Sequence, residues 1–364
     1  MDKMKMGMTD MLEEECEDES DGFHFAFEVD VTKGYQLATR TFASIVERKD
    51  EGVDGSKIWF PAFKNHGGEI ERLAEVLNNN SDKLGGLIAT TAHWPEVPAS
   101  LLDISWTSNS PLLEDNGCYH METKEDVELA IEATKCYVGD FLVKKGLCPF
   151  TKSIERAAIN LDSVGVKEGP VVVRHVTDVL SSTCVTTPAA AMAYLYWDGV
   201  SEMIERDETD VATHLLVCPS VYDNDFSSFA RVCNDLIEPT VSFSSGKVGR
   251  VWFHPEYSLQ AVENDSLARG GHAPPLEEVD ELFGVYMSEN PAVIKPDPED
   301  VAWAHDKSRW TPHATINLLR SSQLKAASDN KMRSRIFPKN ILSLLRGKLN
   351  SVLTREEDLT LHSQ

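Results

Sequence analysis

Cys148, His254, His313 and Arg320 are the residues of this 364-residue chain whose types and settings could together make a reaction centre. Cys148 stands in Leu147-Cys148-Pro149-Phe150, directly after a helical pattern. As thiolate it would be a nucleophile or a metal ligand. The partial negative charge of a helix C-terminus opposes that form, and Lys144, Lys145 and Lys152 favour it. A buried, apolar cysteine holding a turn with Pro149 is the competing role. His254 opens His254-Pro255-Glu256-Tyr257 just past a strand pattern, where histidine serves as acid, base or ligand. Its competing role is a backbone-bonded histidine in a turn fixed by Pro255. His313 follows Pro312 at an expected helix start, a place that favours anions. Arg320 could clamp a carboxylate or phosphate, with His313 one helical face away and Tyr257 as a further substrate contact. An ion pair is the plainer role for Arg320 in so acidic a chain.

The spacing excludes more than it identifies. Seven scattered cysteines include no C-x-x-C pair, so no metal is assigned, although Cys148, His254 and His313 have zinc-ligand chemistry. No G-x-S-x-G elbow, phosphate loop or dinucleotide fingerprint occurs, and no cofactor is indicated. An odd, unpatterned cysteine set fits a reducing compartment, and the cytoplasm is the expected location. No apolar run approaches ~18 residues, so no transmembrane segment is expected.

Net charge is −24, which disfavours nucleic acid as a partner. It is unevenly spread. Residues 10–21 are mostly carboxylate, whereas Arg320 to Arg355 is basic. These ends offer surfaces for a protein partner, and a small anionic ligand is expected at Arg320 and His313.

The elements that must position the candidates fall into two α/β units. Residues 1–21 read as a disordered acidic tail. Residues 22–120 read as a small α/β or α+β unit of unknown role. It has strands near Phe23–Val29 and Lys57–Phe63, helices at Tyr35–Glu47 and Glu69–Leu77, and a third apolar run at Leu84–Thr91. A second domain, 121–327, starts with a helix capped by Thr123 and stopped by Gly146. Strands at 171–176, 215–218 and 248–253 alternate with helices from Pro188 to Glu205 and after Asp223 or Asn224. The expectation is an α/β fold in β-α-β-α-β order, a small sheet with flanking helices. Residues 258–307 read as a lid, a partner-binding insertion or a disordered excursion. Pro312 is expected to open a helix through Ile316, Leu319 and Leu324. Residues 328–364 read as a basic helical extension. No internal repeat is evident.

Four landmarks in order resemble a family known only as domain of unknown function 1415, over about residues 122–324. They are Leu147-Cys148-Pro149-Phe150, then Leu215-Leu216-Val217-Cys218-Pro219 with Asp225-Phe226. Phe253-His254-Pro255-Glu256-Tyr257 follows, and Thr311-Pro312-His313 leads to Leu318-Leu319-Arg320. The family's closing motif carries an arginine and a histidine where this chain has Trp310 and Asn317, so those two roles do not transfer. The resemblance implies a fold and candidate positions but no reaction.

Two functions compete. One is an enzyme with a small-molecule site at the strand ends. There His254 would be acid/base or ligand, Cys148 nucleophile or ligand, and Arg320 the anion clamp. The other is a non-catalytic scaffold acting through its acidic tail, the 258–307 segment and the basic C-terminus.

Overall fold

The computed structural model describes residues 23–27, 34–50, 54–60, 63, 68–82, 84, 86–94, 99–107, 123–180, 188–219, 222–237, 246–258, 274–327 and 330–361. The expected tail, 1–21, lies outside them. The chain forms two compact units, Met1–Glu114 and Asp115–Gln364. Both mix helices with a four-stranded sheet.

The first unit contains β1 (Phe23–Phe27), α1 (Gly34–Asp50), β2 (Gly55–Phe60), α2 (Glu69–Asn79), β3 (Leu87–Trp94) and β4 (Ala99–Trp106). Its sheet order is β1-β2-β4-β3; β1 and β2 are parallel, and β4 runs antiparallel to both of its neighbours. Leu37, Phe42 and Ile45 of α1 and Leu73 and Leu77 of α2 are fully buried, as are Ile58, Phe60, Leu102 and Ile104 of the sheet. Asn78, in the expected Asn78-Asn79-Asn80 breaker, bonds both backbone groups of Ala89 at 2.8 and 2.9 Å. It thus occupies polar groups on edge strand β3.

The second unit starts with α3 (Lys124–Cys136), continued through Tyr137–Val143 in a wider π turn. Thr123 and Asp126 form a reciprocal capping box. At its end Gly146, with φ 64°, and the bond from Leu147 N–H to Leu142 O at 2.9 Å reverse the chain. After the short β5 (Thr151–Ser153) and β6 (Arg156–Ala157) come β7 (Val171–His175), α4 (Thr177–Leu180), α5 (Pro188–Glu205) and β8 (Thr213–Val217). Next are α6 (Phe226–Arg231), which widens through Val232–Ile237, and β9 (Val248–Phe253). The unit closes with α7 (Leu276–Glu289), α8 (Pro298–Lys307), β10 (Thr315–Arg320), α9 (Ser321–Ala327) and α10 (Asn330–Leu361). Met192, Leu195, Tyr196, Val200 and Met203 of α5 are buried, as their helical spacing predicts.

Four expectations need correction. The segment from Pro312 is not a helix but β10, which lies between β8 and β9 and is antiparallel to both. Thr315-Ile316-Asn317-Leu318 alternates as a strand does, but the proline before it and the spacing of Ile316, Leu319 and Leu324 give a helical reading. The 258–307 segment is not an irregular excursion where described. Val279, Phe283, Val301 and Ala304 of α7 and α8 share a core cluster with Leu147, Ile341 and Leu344. The same cluster makes α10 part of the second unit rather than a separate extension. Finally, the two sheets share one topology. Their orders, β1-β2-β4-β3 and β7-β8-β10-β9, have the same pattern of parallel and antiparallel neighbours.

Candidate functional site

The second sheet has two covered faces. Residues alternate across a strand, and the register aligns Thr213, Leu215, Val251, Phe253, Asn317 and Leu319 on one side. Leu216 and Leu318 point the other way, where α5 approaches so closely that a Cβ on Gly199 would stand 2.9 Å from a Leu318 methyl. The first side floors a cavity of about 170 Å³, roofed by α3, the turn at 147–151, α7, the end of α8, and α10. That volume is comparable with the ~150 Å³ apolar cavity that takes up benzene.

Most of the lining is apolar, and its polar groups are few. Cys148 Sγ lies 3.3 Å from Thr151 Oγ1. Burial pushes the Cys148 thiol above its ordinary range, partly offset by hydrogen bonds from Thr151 and Phe150. At neutral pH it is a thiol rather than a thiolate. Thr213 Oγ1 is 2.7 Å from Asn317 Oδ1 and donates to Leu318 O at 2.6 Å. Arg309, 3% exposed, also borders the cavity. Its Nη1 reaches Trp252 O at 3.4 Å, and its guanidinium lies 5.7 Å from the Phe253 ring centroid. Burial lowers its pKa, while Tyr257 and Tyr137 act the other way. Burial also pushes the Tyr137 hydroxyl well above its ordinary range, so it stays a neutral phenol.

His254 is fully buried and fixed at both nitrogens. Its Nδ1 accepts from Glu256 N–H at 2.9 Å, so Nε2 carries the proton and donates to Tyr222 O at 2.6 Å. The rings of Phe226 and Phe229 stand 5.1 and 5.3 Å away. Burial lowers its pKa. This is the backbone-bonded histidine of the turn, with neither nitrogen presented to a ligand. Its backbone N–H donates to Arg309 O at 3.0 Å and so helps to place Arg309. Tyr257, 7% exposed, packs on Phe226 with ring centroids 5.3 Å apart.

His313 has a different setting. Its Nδ1 is 2.6 Å from Asp223 Oδ2, and Asp223 Oδ1 accepts from Ala314 N–H at 2.7 Å. Asp223 therefore joins the loop after β8 to the start of β10; Asp225 caps α6 instead, accepting from Ser228 N–H at 2.9 Å. The His313 side chain is 22% exposed.

Arg320 belongs elsewhere. It ends β10 on the face opposite the cavity, and its guanidinium donates to the carbonyls of Met203, Arg206 and Val211. It covers otherwise open carbonyls around the end of α5, where a cation is favoured. At ~3.3 Å per residue, it lies roughly 20 Å along the chain from His313. Cys148, His254, His313 and Arg320 thus do not surround one ligand.

Arg309, Asn317 and Asp223 are the residues that sequence reasoning missed. Asp223 was expected to cap a helix, and Arg309 carried no motif. Asn317 held a familiar position with an unfamiliar side chain. Among the described residues no group of three His, Cys, Asp or Glu could hold a metal ion, and no helix is long and apolar enough to cross a membrane. No family model, curated protein or solved structure matches this chain.

Proposed function

We propose that the second unit binds a small organic anion, its apolar body on the sheet face and its acidic group toward Arg309. The observation carrying this reading is a buried guanidinium bordering an otherwise largely apolar cavity. Such a cation is costly to desolvate, and a ligand carboxylate or phosphate would give it charge-assisted hydrogen bonds in a medium of low dielectric. Binding rather than catalysis is favoured because Cys148 is held as a thiol and both His254 nitrogens are occupied.

Calorimetric titration of the full chain with hexanoate and hexanol tests this. Leu319→Trp, which fills the cavity, should abolish both interactions. Arg309→Met should lose hexanoate and keep hexanol, with Arg309→Lys intermediate. Unchanged binding to Leu319→Trp would remove the cavity from the argument.

The Asp223–His313 pair supports a second reading, acid/base chemistry at the strand ends, because the carboxylate orients the imidazole. In that case diethyl pyrocarbonate should modify His313 well before His254. Equal reactivity would count against it.

A further inference from the structure

We infer that the acidic group of this ligand is a phosphate ester, held where Lys145, Lys307 and Lys339 meet at the rim of the cavity. The inference rests on the cavity reading and adds to it the chemistry of the head group.

Each lysine precedes a stretch of lining. Lys145 comes before Leu147 and Cys148, Lys307 before Ser308 and Arg309, and Lys339 before Asn340 and Ile341. The three stretches are fastened together. Asn340 Nδ2 donates to Leu147 O at 2.7 Å, and Ser343 Oγ donates to Lys145 O at 2.9 Å. Lys339 Nζ lies 3.9 Å from where a Cβ on Gly146 would stand. Lys145 Nζ is 5.7 Å from the Phe141 ring centroid, and Lys307 Nζ is 3.9 Å from that of Trp310. Those two rings touch edge to face, with centroids 5.6 Å apart. Lys145 and Lys307 thus stand on two touching rings, each within reach of the other's charge. Lys145 Nζ also lies 2.8 Å from where a Cβ on Gly347 of α10 would stand, and Lys339 Nζ lies over the turn at Gly146.

Their lack of carboxylate partners is informative in a protein of net charge −24. Neighbouring Lys144 is paired with Asp140, and Lys348 with Asp300 at 2.9 Å. Among the described residues Lys145, Lys307 and Lys339 form no ion pair. Lys307 is half-buried, and both burial and the charge of Lys145 work against its protonation. An anion at this point relieves that repulsion. Arg309 lies two residues beyond Lys307 in the chain and itself lines the cavity. A carboxylate offers two oxygens and one charge. A phosphate monoester offers three terminal oxygens and about −1.5 to −2 charges at pH 7, which matches three ammonium donors better.

The test compares hexyl phosphate, hexanoate and hexanol by calorimetry on the full chain and on a Lys145→Gln/Lys307→Gln variant. Hexyl phosphate should bind the parent about tenfold more tightly than hexanoate. In the variant that advantage should vanish while hexanol binding is retained, which also shows the cavity to be intact. If hexyl phosphate binds no better than hexanoate, or keeps its advantage in the variant, the lysine site is overturned and the cavity reading stands. If none of the three binds the parent, both fall together.

Discussion

Side by side, the two sheets run the same course through three parallel strands and place a fourth, antiparallel one between the second and third. The course after the third strand separates them. In the first unit only residues 95–98 lie between β3 and β4, whereas 254–314, including α7 and α8, lie between β9 and β10. Sequence echoes the correspondence: Pro95-Glu96 follows Trp94, the last residue of β3, and His254-Pro255-Glu256 follows β9. Burial shows the consequence. Along β2 buried Ser56, Ile58 and Phe60 alternate with half-buried Lys57 and Trp59, but every residue of its counterpart β8 is buried. One topology thus yields a sheet with one well-buried face and a sheet with two. Arg309 and Lys307 lie in the added 254–314 segment, and α7 and the end of α8 help to roof the cavity. Function in this molecule is best sought where the second copy has something the first lacks.

Disrupting either unit is the strongest way to break the comparison. Phe283→Ala removes a fully buried ring from the cluster joining α7, α8 and α10 and should cost about 3–5 kcal/mol. Urea unfolding should show the second unit weakened, with hexanoate binding lost and the first unit unchanged. Phe42→Ala should cost a similar ~3–5 kcal/mol in the first unit and leave binding intact. Equal effects of both variants on binding would mean that function is not confined to the second unit. A smaller loss, about 1 kcal/mol, is expected for Thr123→Ala at the capping box of α3.

A pH effect sharpens the contrast further. The folded pKa of His254 lies below its ordinary 6.5, so the unfolded chain binds more protons as pH falls through 6.5. This contribution to stability is intact above 6.5 and declines toward the folded value. The urea midpoint of the second unit should therefore fall between pH 7.5 and pH 5 (roughly one unit to either side of the ordinary value), less steeply in His254→Asn. The smallest effect concerns reactivity alone. Iodoacetamide should label exposed Cys136 before Cys148, whose labelling should accelerate only in alkali. Preferential labelling of Cys148 at neutral pH would restore its claim to be a nucleophile.

Local chemistry was readable wherever one segment decides its own structure. Thr123, Gly146 and the limits Pro188–Glu205 and Val248–Phe253 follow from caps, proline and apolar runs. Decisions made by distant partners were not readable. The Thr315-Ile316-Asn317-Leu318 alternation of β10 is short, and it is the pairing with β8 and β9 on either side that decides the matter. Asp223 bonds across 90 positions to His313 rather than capping the helix beside it. Arg309 looks like any polar loop residue until the helices close around it. The helical pair α7–α8 was obscured by a Pro- and acid-rich composition, although Val279, Phe283, Val301 and Ala304 already had the spacing of buried faces.

The central position of β10 has a consequence for biosynthesis. As the ribosome extends the chain, β7 and β8 can pair early, but β9 must wait for the strand that separates it from β8. At about 5–20 residues per second, making 254–314 takes on the order of several seconds. The first sheet, complete by Trp106, has no comparable pause. During that interval the inner edges of β8 and β9 offer unsatisfied backbone groups to other nascent chains. The second unit is therefore the part of the molecule with the longer window in which a chaperone would decide the yield of folded protein.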